Sequence, residues 1–105
     1  MTTTTIAGTD VHVDEEGFMT EYDEWTEDHG RALASAIGIT EMTDDHWEAI
    51  RFLRSDFAAQ GETATLRRVT KVGGIPTKKL FQLFPKKPAK KMAYVAGLPK
   101  PHGCV

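Results

Sequence analysis

Cysteine is almost missing from this sequence, and its scarcity excludes more chemistry than any other feature. One cysteine, Cys104, in 105 residues permits neither an internal disulfide nor a cysteine-rich zinc set. The four histidines (His12, His29, His46, His102) are scattered, with no two at helical ligand spacing, which argues against metal enzymology. No apolar run approaches the roughly 20 residues that a membrane span requires. The start, Met1 to Thr5 and then Ile6, has neither the basic region nor the apolar run of a secretory signal, so a cytoplasmic protein is expected. With 40% hydrophobic, 27% charged and 9% aromatic residues, the chain has the composition of one small soluble domain. It is too small to enclose a big cofactor deeply, and no cofactor is expected. Trp25, Trp47, Tyr94 and the phenylalanines read as core or partner contacts rather than as a cofactor site.

What is present is a sharp division of charge. Residues 1–50 carry thirteen acids and one base, Arg31, whereas residues 51–105 carry twelve bases and two acids, Asp56 and Glu62. The halves net −12 and +10, which sum to the chain's −2. Two readings stay open: an electropositive working surface in the second half, or mutual neutralisation in the fold.

The pattern predicts a short β element and then helices. Val11 and Val13 alternate with Asp10, His12 and Asp14, Ile6–Thr9 supplies a partner strand, and Asp14–Gly17 is a turn leading to Phe18 and Met19. The Thr2–Thr5 run reads as a disordered start. Thr26 caps a helix with Glu27 and Asp28 in its first turn, Leu33, Ala36 and Ile37 on its apolar side and Gly38 at its end, although Gly30 weakens it. Thr43 caps the central helix, where Trp47, Ile50, Leu53 and Phe57 share a face and Gly61 terminates. A shorter helix spans Thr65–Lys71 and stops at Gly73-Gly74. Pro76 opens the next, which buries Leu80, Phe81, Leu83 and Phe84 before Pro85. Pro88 opens the last, with Ala89, Met92, Ala93 and Ala96 on one face and Gly97 closing it. Residues 1–97 thus read as a single helical domain with an N-terminal hairpin, and 98–105 as a mobile C-terminal arm. From Gly97 to Cys104 that arm reaches roughly 23–25 Å when extended.

Cys104 is the only soft nucleophile. A cysteine hydrolase needs a base fixed against the sulfur and a preorganised oxyanion site, which an arm does not hold. A carrier needs a nucleophile that reaches out. Lys100 and His102, with Lys86, Lys87, Lys90 and Lys91, would favour the thiolate, although each lysine also reads as an ordinary solvated residue.

The segments Leu83–Lys91 and Ala96–Val105, ending Leu-Pro-Lys-Pro-His-Gly-Cys-Val, resemble the DsrC/TusE family of sulfur-relay proteins. Asp14–Phe18, His46-Trp47, Arg51–Arg54 and Leu66–Lys71 extend the resemblance upstream. It implies a mainly α fold: an orthogonal helical bundle with a small hairpin, a helix-turn-helix-like middle and a mobile arm. It also implies that Cys104 carries sulfur as a persulfide, and that the chain serves as a protein co-substrate rather than a stand-alone enzyme. Its partners would be an upstream sulfurtransferase complex and downstream acceptor proteins, in tRNA 2-thiouridine synthesis or dissimilatory sulfur metabolism, with a sulfite reductase or heterodisulfide reductase-like protein as the alternative partner. The branch serving dissimilatory sulfite reductase has a second arm cysteine where this chain has Ala93, which favours a one-cysteine, TusE-like carrier over a reductase-associated protein. The stretch from Lys71 to Leu80 is short against the family's usual pattern, which leaves open a divergent DsrC-like paralogue of a sulfur oxidiser.

Arg67, Lys71, Lys90, Lys91, Lys100 and His102 are the candidates for positioning the arm or engaging acidic partner surfaces. Two other readings compete. A nucleic-acid-binding regulator would use Arg67, Arg68, Lys71, Lys78 and Lys79 against phosphates, opposed by the negative overall charge. A structural subunit would use the tail as a docking strap.

Overall fold

The structure, a computed structural model, describes residues 2–101. Among them are a two-stranded antiparallel hairpin, β1 (Thr2–Ile6) and β2 (Thr9–Val13), and a 3-10 turn at Tyr22–Glu24. Five helices follow: α1 (Glu27–Ala36), α2 (Asp44–Gln60), α3 (Leu66–Lys71), α4 (Thr77–Leu83) and α5 (Pro88–Val95). The mainly α architecture with an N-terminal hairpin is therefore as the sequence predicts.

The hairpin corrects two expectations. Ile6–Thr9 is not the partner strand but spans the hairpin's turn. The Thr2–Thr5 run is not a disordered start but most of β1, paired from Thr2 opposite Val13 to Ile6 opposite Thr9. Ala7 and Gly8 form the two-residue turn with φ of 52° and 81°, the positive pair that suits the twist of a tight hairpin. β-Branched threonines fit an exposed strand, where no apolar alternation is required. Val11 and Val13 of β2 are buried with Met19 and Leu33 in a small apolar cluster.

Both long helices start where their caps predict, and the caps carry a feature that spacing does not reveal. Thr26 and Thr43 each close a reciprocal capping box, and the partner is a histidine. The backbone N–H of Thr26 donates to His29 Nδ1 at 3.0 Å, and that of Thr43 to His46 Nδ1 at 3.1 Å. His46 Nε2 is then placed 3.0 Å from the Leu83 carbonyl, tying the start of α2 to the end of α4. Along α4, Leu80 and Phe84 are buried and Leu83 is half-buried, but Phe81 is 47% exposed, contrary to expectation. A seven-residue helix packed by one side has no room for four inward side chains, and Phe81 faces out.

Trp25 joins the small cluster to the main core, packing against both. A Cβ built on Gly30 of α1 would lie 2.8 Å from its ring, and one on Gly97 would lie 2.3 Å from it. The glycine that weakens the helical pattern of α1 is thus the glycine that admits the indole. Trp25 Nε1 donates to the Val95 carbonyl at 2.9 Å, capping a free acceptor at the end of α5.

The packed body also extends past Gly97. Gly97, at φ 70°, donates to the Tyr94 carbonyl, and Leu98 donates to the Ala93 carbonyl, the paired bonds of a Schellman cap. The apolar residue that follows such a cap folds back on its helix, and Leu98 is fully buried. Leu98 therefore belongs to the core rather than to an arm beginning at 98.

The packing around Trp25 can be tested by adding one methyl group. Gly97→Ala should destabilise the protein by about 2–4 kcal/mol, combining left-handed backbone strain with overpacking against Trp25. Gly38→Ala, at an equivalent cap with φ 89° and nothing within 4 Å, should cost only about 1 kcal/mol. Urea midpoints at constant slope measure both, and equal losses would mean that the indole yields. A second prediction concerns acid. Glu24 accepts from the backbone N–H of His12 at 2.8 Å and meets its ring Nδ1 at 2.9 Å, and these bonds hold its carboxyl below the ordinary value. A depressed folded pKa gives stability that is present above the unfolded value, about 4.3, and lost as pH falls through the folded one. Glu24→Gln should therefore be less stable at neutral pH and flatter across the acid limb; parallel curves for the two proteins would contradict this.

Candidate functional site

The described chain ends at Pro101, so Cys104 and His102 lie outside the described residues. The site can be built up to the root of the segment that bears them. That root is held from three sides. From α2, Arg54 donates through Nη1 to the Ala96 carbonyl at 2.7 Å and through Nη2 to the Tyr22 carbonyl at 2.9 Å. Its guanidinium lies 4.2 Å from the centre of the Trp25 ring and 5.5 Å from that of Tyr22. Burial lowers the Arg54 pKa from its ordinary value, opposed by Tyr22 and Asp23. The cation also faces the negative end of the α5 dipole.

From the α2–α3 connection, Thr63 Oγ1 donates to the Pro99 carbonyl at 2.7 Å. From the turn after β2, Glu16 reaches Lys100 Nζ at 3.3 Å and Lys90 Nζ at 3.9 Å. That turn is closed by Asp14, whose Oδ1 accepts from the backbone N–H groups of Glu16 and Phe18, at 2.9 and 3.0 Å. Lys100 and Lys90, both singled out by sequence, are thus brought together through Glu16. Lys91 is close by, its Nζ donating to the Pro85 carbonyl. Tyr94 packs edge-on against Phe18, with ring centres 5.6 Å apart.

Arg67 and Lys71 are not part of this arrangement. Both are exposed on α3, which packs against α2 and α4. The base of α3 that the fold engages is instead Arg68, whose Nε and Nη2 both donate at 2.8 Å to the buried carboxylate of Asp56. This bond raises the Arg68 pKa. Lys79 lies 3.2 Å from Asp45. Two of the five bases that a nucleic-acid reading requires are therefore engaged within the fold. Neutralisation accounts for part of the charge division: Arg51 meets Glu27, while Arg67, Lys71, Lys78, Lys86 and Lys87 have no carboxylate at ion-pair distance among the described residues.

The sequence read Trp25 only as a core or partner contact and Arg54 only as part of the Arg51–Arg54 resemblance, and it did not single out Thr63. Arg54 carried a readable signal, since it lies four residues after Ile50 and seven after Trp47, inside the apolar stripe of α2. A cation in such a slot needs acceptors, and here they are carbonyls at the root. No signal marked Thr63.

Comparison with known proteins accords with this geometry. The family model described as DsrC like protein matches residues 5–105. The chain is 34% identical to the dissimilatory-type sulfite reductase subunit gamma of Nitratidesulfovibrio vulgaris, over the whole of both chains. It is 33% identical to the sulfurtransferase TusE of Salmonella typhimurium, over 93% of this chain and 95% of that one. The crystal structure of dissimilatory sulfite reductase I (DsrI) contains a chain that superposes with a TM-score of 0.84 at 34% identity, covering 99% of this chain and 100% of that one. With its tail motif, its hairpin and its five helices all accounted for, this chain belongs to the DsrC-like family.

Proposed function

We propose that this protein is a cytoplasmic sulfur carrier that accepts sulfur as a persulfide on Cys104 and relays it between sulfurtransferase partners. The observation that carries the reading is the match to DsrC-like proteins through residue 105, which takes in the only thiol of the chain. Full-length relatives named as a sulfurtransferase and as a sulfite reductase subunit support sulfur chemistry of either destination, tRNA thiolation or sulfur metabolism.

The chemistry is thiol exchange. The Cys104 thiolate attacks the terminal sulfur of a donor persulfide. A new S–S bond forms on Cys104, the donor's S–S bond breaks, and the donor leaves as a thiolate that takes up the persulfide's proton. Sulfur is transferred without net oxidation. The acceptor thiolate repeats the step, and Cys104 returns to its starting state. Lys100 and His102, neighbours of Cys104 in the sequence, would favour the anionic sulfur.

A single thiol also limits the exchange chemistry open to the chain. Ala93 stands where reductase-associated relatives would carry a second cysteine, and it is fully buried on α5. Cys104 has no partner within the chain for a disulfide or trisulfide, so each transfer ends on another protein. Upstream sulfurtransferase proteins and a downstream acceptor are the proposed partners, with a reductase-type partner as the alternative destination.

Incubation with a persulfide donor, followed by intact-mass measurement, tests this. Wild type should gain the mass of one sulfur atom, reversed by a thiol reductant, and Cys104→Ser should gain none. No increment, or one that persists in Cys104→Ser, would overturn the proposal.

A further inference from the structure

Beside the arm root lies a cavity of about 520 Å³, within the range of binding pockets. Its floor is apolar, formed by Phe18, Ile37 and Tyr94. Its rim is Glu16 and four lysines, Lys86, Lys87, Lys90 and Lys91. One carboxylate thus faces four ammonium groups, and it is shared with Lys100. Lys91 is occupied by the Pro85 carbonyl, whereas Lys86 and Lys87 have no carboxylate at ion-pair distance among the described residues.

The backbone under those two lysines is unusual. Lys86 and Lys87 have φ of 60° and 50°, consecutive left-handed residues between Pro85 and Pro88. Glycine or asparagine would sit there without strain, so the backbone does not call for lysine. The side chains supply the reason: the loop holds two uncompensated cations over an apolar floor.

We propose that this groove docks an acidic peptide segment of a partner protein, with an apolar side chain on the Phe18–Tyr94 floor and carboxylates against Lys86 and Lys87. Charge complementarity selects the partner's sign, and the apolar floor supplies an anchor that a uniformly charged ligand leaves empty. Phe18 and Tyr94 pack edge to face at 81°, one ring against the other, rather than offering parallel platforms to bases. The inference rests on the carrier reading only for the need of a partner. Cys104, which takes the sulfur, is not among the residues that form the groove, so peptide capture and sulfur uptake are read separately.

The test titrates the full chain with an acetylated, amidated peptide in which glutamates flank a single leucine, read by calorimetry and amide shift changes. Binding should perturb Phe18, Lys87 and Tyr94, weaken with salt, and weaken again when serine replaces the peptide's leucine. Lys86→Gly with Lys87→Gly removes both charges while relaxing the backbone, and should reduce affinity at least roughly tenfold. Lys71→Gln with Lys78→Gln makes the same charge change on α3 and α4 and should leave affinity unaltered. Cys104→Ser, which takes up no sulfur, should bind the peptide as wild type does, so that failure of docking and failure of the carrier reading are told apart. Equal loss in both pairs, indifference to the leucine, or tighter binding of a single-stranded oligonucleotide would overturn the proposal. So would peptide affinity that rises when residues 102–105 are deleted, which would give the groove to the chain's own end. A dimer dissolved by the double glycine variant would give the groove to a second copy and overturn the proposal equally.

Discussion

One indole holds the geometry together. Trp25 is inserted between Gly30 and Gly97, lies under the Arg54 guanidinium, and donates its N–H to the last turn of α5. It is also the seam between the hairpin's cluster and the main core. Two glycines are needed because any side chain at either position would occupy the ring's space. The ring in turn fixes where α5 ends and which way the chain leaves it. Arg54 completes the arrangement by donating to the carbonyl of Ala96. Free acceptors at a buried helix end would be costly, and here a tryptophan and an arginine satisfy them.

The consequence for function is a firm root. Leu98 is buried through its Schellman cap, Pro99 accepts from Thr63, and Lys100 meets Glu16. A segment that presents a reactive group gains from a well-defined origin, because the region its tip can reach is then set by the body's orientation on a partner. The basic groove lies beside this root, with Lys90 of its rim sharing Glu16 with Lys100.

Much of this was legible in the sequence because local rules and the global fold agree. Thr26 and Thr43 cap helices, Gly38, Gly61 and Gly97 adopt positive φ where helices stop, and the apolar face of α5 is fully buried. The tail motif carried the family. The failures have separate physical causes. β1 has no apolar alternation to read, because its threonines are exposed and its pairing is a backbone matter. Leu98 looks like the start of an arm until the cap's hydrogen bonds fold it back. Phe81 and the capping histidines depend on which way a short helix faces and on side-chain reach, neither of which spacing alone decides. The pairing of Trp25 with Gly97 joins residues far apart in sequence, and only the assembled fold shows it.

The central claim is that Cys104 is a way station: sulfur arrives there and departs to another protein. Following the atom through a single turnover tests this most directly. The chain, loaded with isotopically labelled sulfur and freed of donor, is mixed with an acceptor thiol protein, and both masses are recorded over time. The account predicts that the label leaves Cys104 and appears on the acceptor in equal amount. Label that remains on Cys104, or that is lost as free sulfide while the acceptor gains none, would contradict it.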